Sequence, residues 1–108
     1  MNTNRHNKLT QEIARLAGDF FMRNVRVPDT LLTVTRAVIA DNLTRATIFF
    51  SVLPEHRESI ALAIAKRARS DFRTYVKERR LFHPIPIFDF DIDAGEKNRQ
   101  RVDELTRA

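Results

Sequence analysis

The chain has no cysteine and no tryptophan, one tyrosine, and only two glycines in 108 residues. Without cysteine it can form neither disulfide staples nor thiolate metal sites, so its stability must come from packing. With glycine at Gly18 and Gly95 alone, it has no glycine-rich loop that could cradle a phosphate. No apolar run approaches the roughly 20 residues of a membrane span, and the first residues, MNTNRHNKLT, lack the apolar segment of a signal peptide. The expectation is a cytoplasmic protein without membrane contact.

An ordinary apolar content of 43% remains, with a formal charge of +5. The length suits one domain over residues 1–108 with a single core. The charge is uneven. Residues 1–54 carry seven basic and four acidic groups, residues 55–83 eight and four, and residues 84–108 four and six. The basicity is therefore central, within the expected fold, and is not that of a cationic tail.

Its centre is the run from Ile60 to Arg80. At the helical period Ile60, Ile64, Ala68, Phe72 and Tyr75 fall on one side, which is expected to pack. Lys66, Arg69, Arg73, Lys77 and Arg80 fall on the opposite side, with Arg67 beside them. Cations aligned on one ridge make a footprint for a polyanion, which evenly scattered cations do not. These six residues are the expected nucleic-acid-binding set, the plainer alternative being a solvated helix face.

The remaining elements follow from periodicity. Leu9, Ile13, Leu16 and Phe20 mark an amphipathic helix from about Arg5 to Asn24, which Pro28-Asp29 ends. The β-branched stretch Leu32–Ile39 reads as a strand with Leu32, Val34 and Val38 on one face. Asp41-Asn42 turns the chain into a second strand, Arg45–Leu53, with Ala46, Ile48, Phe50 and Val52 inward. Pro54 opens the long helical run, and Pro84 and Pro86 stop it. From Ile87 to Asp93 the chain alternates strictly, with Phe88, Phe90 and Ile92 inward and Asp89, Asp91 and Asp93 outward. Ala94-Gly95 is expected as a turn, and Glu96–Ala108 as a weak helix held by Val102 and Leu105.

No catalytic constellation emerges. Ser51, Ser59 and Ser70 have no nucleophile-elbow context, and His6, His56 and His83 have no metal-ligand spacing. The three aspartates begin like a calcium loop, but Ala94 stands where that loop needs glycine and Gln100 where it needs glutamate. They read as a charged strand edge. No cofactor, metal or small-molecule substrate is expected. Phe49, opposite in face to Ile48 and Phe50, is the aromatic that could stack on a base, with packing the commoner role.

The order α-β-β-α-(α)-β, with helices on one face of a three-stranded sheet, resembles the type II KH domain, an α+β fold that binds single-stranded RNA. The GXXG loop of that fold is missing; Ala68-Arg69-Ser70 stands between the central helices. There the chain resembles the ribosome-binding factor A family, whose KH-like domain has an Ala-x-Gly kink at this place. The likeness takes in Leu31-Leu-Thr-Val-Thr-Arg36, Asp41-Asn-Leu-Thr-Arg-Ala-Thr-Ile-Phe-Phe-Ser-Val-Leu53, Arg73 three residues past the kink, and Pro86-x-Phe-x-Phe-x-Ile-Asp93. Ser70 departs from the kink glycine, and either a shallower bend or a hydroxyl bonded back to a helix carbonyl would accommodate it. The resemblance implies a monomeric, non-enzymatic factor on the immature small (30S) ribosomal subunit. It would assist late maturation and 5′-end processing of the 16S rRNA precursor. The competing reading is a KH-like interaction domain whose basic face meets an acidic protein.

Overall fold

The computed structural model describes residues 3–79 and 84–95. A first helix, α1 (Thr3–Asn24), leads through the Pro28-Asp29 turn into β1 (Leu31–Ile39), which pairs antiparallel with β2 (Arg45–Leu53). Between these strands Asn42 Oδ1 accepts the Thr44 amide at 3.2 Å and the Thr44 hydroxyl at 2.7 Å, an Asx turn. After the 3₁₀ turn Glu55–Arg57 come α2 (Glu58–Arg67) and α3 (Arg69–Arg79). They carry the chain back so that β3 (Ile87–Ile92) lies parallel to β2, and the sheet order is β1-β2-β3. A parallel neighbour requires such a helical crossover, and here the crossover is the basic segment itself.

All helices cover one face of the sheet. That face presents Ala46, Ile48, Phe50 and Val52 of β2 with Phe88 and Phe90 of β3, all buried. From α1 come Ile13, Leu16, Ala17, Phe20 and Phe21, from α2 Ala61 and Ala65, and from α3 Phe72 and Val76. Phe72 is the hub, with ring centroids 5.2 Å from Phe20, 4.8 Å from Phe88 and 5.5 Å from Phe90. Such aromatic pairs add about 0.5–1.5 kcal/mol each beyond burial.

Three expectations about facing are corrected. Val38, expected inward, is 47% exposed, because β1 contains a bulge between Val34 and Arg36. The extra residue, Thr35, reverses the alternation, so Ala37 and Ile39 take the inward positions. Ile60, expected on the packed face, is 50% exposed, since Ala61 and Ala65 form the contact and shift the buried stripe by one residue. Asp93, expected outward, is 5% exposed and bonded to β1. Ala94 and Gly95, expected as a turn, have helical backbone; the helix expected over Glu96–Ala108 lies outside the described residues. No described helix is long and apolar enough to cross a membrane.

Candidate nucleic-acid interface

The bend between the two central helices sits on Ala68. Its amide donates to both Ile64 O, at 3.2 Å, and Ala65 O, at 3.0 Å, tightening the last turn of α2. Helix α3 then restarts with the Phe72 amide on Ala68 O at 2.9 Å. The Ala68 dihedrals, φ −86° and ψ 3°, are open to any L residue. Positive φ occurs among described non-glycine residues only at Asp29 and Leu43. The bend therefore makes no demand for glycine, and Ser70 is simply the second residue of α3, exposed. The hydroxyl that bonds back to a carbonyl here is that of Thr74, onto Ser70 O at 3.2 Å.

The expected RNA-binding cations divide into two groups. Lys66, Arg69 and Arg73 are fastened to the third strand and its approach. Lys66 Nζ lies 2.9 Å from Asp89 Oδ1 and Arg69 Nη1 lies 3.2 Å from the same oxygen. Arg69 Nε also donates to Lys66 O at 2.9 Å. Arg73 Nη1 donates to Pro86 O at 2.9 Å, with Ile85 O at 3.4 Å. Arg67 and Lys77 are exposed and project from α2 and α3. Arg80 lies outside the described residues. Arg79, which the sequence reading passed over, lays its guanidinium carbon 3.3 Å from the Tyr75 ring centroid and donates to Tyr75 O at 2.8 Å. The i, i+4 spacing of an aromatic and an arginine was the available signal.

Beside this ridge an open cleft of about 290 Å³ is lined by Arg69, Ser70, Arg73, Ile87 and Phe88. Ile87 is exposed, so the cleft combines an apolar floor with two guanidinium groups and a hydroxyl. That combination suits a nucleotide, with its apolar base faces and anionic phosphate.

The aspartates of β3 serve the strand. Asp89 Oδ1 accepts the Phe90 amide at 2.9 Å and Asp91 Oδ1 accepts the Ile92 amide at 2.8 Å. The amides on the other side of the strand bond to β2, as Asp93 N does to Phe50 O. The carboxylates thus occupy donors that an edge strand would otherwise offer to another chain. Partial burial disfavours the charged form of Asp89. The Lys66 hydrogen bond, the Phe90 amide and Arg69 outweigh it and hold this carboxyl below its ordinary value. The described residues contain no group of three or more His, Asp or Glu placed to hold a metal. His6 is spent on Ile39 O, at 3.2 Å.

The sequence matches the family model for ribosome-binding factor A over residues 5–106. It is 31% identical over 101 residues to ribosome-binding factor A of Levilactobacillus brevis, spanning 91% of this chain and 87% of that protein. A solution structure of a putative ribosome binding factor A from Thermotoga maritima superposes with a TM-score of 0.68 at 26% identity, covering 88% of this chain and 92% of that one. The crystal structure of the Thermus thermophilus ribosome-binding factor A gives 0.69 at 18% identity, covering 81% and 94%. Coordinates of the Thermus factor fitted into a cryo-EM map of its 30S complex give 0.66 at 18% identity, covering 76% and 88%. With a family match across nearly its whole length and the KH-like α+β fold of these structures, this chain belongs to the ribosome-binding factor A family.

Proposed function

We propose that the chain is an assembly factor that binds the immature small ribosomal subunit in the cytoplasm and assists late maturation and 5′-end processing of 16S rRNA. It would act as a monomeric single domain, by binding and without turnover. The observation that carries this reading is the bent α2–α3 pair, which sets Arg69 and Arg73 at an open cleft with an apolar floor and leaves Arg67 and Lys77 exposed on the same two helices. Lys66 on α2 belongs to the same proposed set, as does Arg80 by its helical spacing in the sequence. Cations so placed meet phosphates, and exposed Ile87 offers a base an apolar surface. The Thermus relative fitted into a 30S complex supports the partner.

Co-sedimentation tests the reading. The protein is expected to travel with free small subunits in preference to complete ribosomes, to lose that association when the RNA is digested, and to leave precursor RNA uncut. Association that survives nuclease would favour an acidic protein as partner, and specific cleavage abolished by a single substitution would overturn the non-catalytic role.

A further inference from the structure

The face of the sheet opposite the helices holds a cluster that the α2–α3 ridge does not use. The β1 bulge creates it. Val34 pairs with Phe50 and Arg36 with Phe49, so a strictly alternating strand would send Arg36 to the helix side. The inserted Thr35 turns Arg36 out beside Phe49 instead, and bulges are a recurrent means of re-aiming a side chain. The Arg36 guanidinium carbon lies 4.1 Å from the Phe49 ring centroid. Its Nε is 3.3 Å from Asp93 Oδ2, and the Thr35 hydroxyl donates to that same oxygen at 2.5 Å. Asp93 is buried, so the guanidinium is held from below by the ring and from the side by a fixed carboxylate.

One plane of the guanidinium thus rests on Phe49, while the Arg36 side chain remains 52% exposed. Its neighbours on this face are short. Thr33 pairs with Ser51 on one side and Val38 with Thr47 on the other, while Asp91 sits beside Phe49 on β3. A flat group can lie over the guanidinium without meeting a long side chain. With Nε committed to Asp93, one edge that arginine uses to grip a carboxylate is already taken, which favours stacking over pairing with an acidic protein. We propose that the Arg36–Phe49 pair is a stacking platform for an unpaired nucleobase, a second RNA contact separate from the α2–α3 ridge. The platform rests on the ribosomal-RNA reading above. Bases stack on guanidinium planes and aromatic rings irrespective of sequence.

The test compares a short oligoadenylate with an abasic oligomer of equal length, followed by NMR of the arginine Nε–H groups, the lysine ammonium groups and the phenylalanine rings. Oligoadenylate is expected to shift Arg36 and Phe49, whereas the abasic chain shifts Arg67 and Lys77 of the ridge and leaves the platform still. Platform signals that move equally with both, or stay fixed while the ridge saturates, overturn the platform alone. Signals that move in neither set overturn the ridge as well. The variant Phe49→Leu, checked for an unchanged melt, is expected to weaken oligoadenylate binding about tenfold while leaving the slope of log affinity on log salt unaltered, since no phosphate contact is lost. Intact affinity overturns the proposal. A photo-crosslinking residue in place of Val38, which is exposed beside the platform, is expected to join ribosomal RNA on the small subunit; crosslinks to protein alone overturn it.

Discussion

Lys66 and Asp89 meet across the space between α2 and β3, Nζ to Oδ1 at 2.9 Å, and Arg69 reaches the same oxygen at 3.2 Å. One carboxylate on an edge strand therefore neutralises two of the cations expected to face RNA. It competes with phosphate for both. Asp89→Asn should accordingly tighten binding to small subunits or precursor RNA and steepen the fall of log affinity with log salt, by about one unit for each cation released to a phosphate. Binding unchanged in strength and slope would mean that Lys66 and Arg69 serve only to hold the strand.

The same carboxylate sets an acid limit on stability. Its pKa in the folded chain lies below the ordinary 3.8. The sign follows from linkage: a depressed carboxylate stabilises the fold above its unfolded pKa and loses that contribution as pH falls through the folded value. The wild-type melting temperature should drop below about pH 4, and Asp89→Asn should lack part of that drop while matching the wild-type profile in shape near neutrality. Melts of the two proteins across acid pH measure the difference, and superimposable curves would assign the acid sensitivity elsewhere.

Arg67 and Lys77 allow binding to be separated from folding. Both are exposed, and neither is tied to β3 or its approach as Lys66, Arg69 and Arg73 are. Arg67→Glu with Lys77→Glu should reduce RNA affinity and flatten its salt slope by about two units, with a melting temperature near that of the wild type. Lys8→Glu with Arg23→Glu changes net charge equally on α1 and should cost much less affinity. Equal losses from the two pairs would mean that the ribosome senses only bulk charge.

The expected elements and most of their inward residues could be read from periodicity, because apolar spacing alone decides which positions of α1 and β2 can be buried. The α1 stripe through Ile13, Leu16 and Phe20 and the β2 row through Ile48 and Phe50 are buried as their spacing requires. The misreadings of Val38 and Asp93 have a common local cause. A bulge has no apolar signature, since Thr35 is a β-branched residue that fits any strand position, yet it reverses every side chain beyond it. It also brings Thr35 and Arg36 to Asp93, so an aspartate that alternation alone assigns to solvent becomes buried. At the ridge, helical phase located the cations on one side but could not reveal their partners. The clamp of Arg73 onto Pro86 O spans 13 residues, and the pairing of Lys66 with Asp89 spans 23. Such contacts depend on where the crossover returns the chain, which no local pattern encodes.

The residue that departs from the family's kink supplies the last prediction. Because the bend is made at Ala68 with φ −86° and ψ 3°, a glycine at position 70 would add freedom that the bend does not use. Ser70 lies in the first turn of α3, where it limits the conformations of the unfolded chain without making the turn itself. Ser70→Gly should therefore lower stability by about 0.5 kcal/mol, which for a chain of this size is a fall of roughly 2–4 °C in melting temperature. Subunit binding should stay at the wild-type level, since Arg69 and Arg73 keep their anchors on Asp89 and Pro86. Ser70 also lines the cleft beside Ile87, which gives the same variant a second use. If Ser70→Gly binds small subunits less well while Ser70→Ala binds as weakly and melts no lower than the wild type, the hydroxyl contacts RNA directly and its role is not confined to the helix.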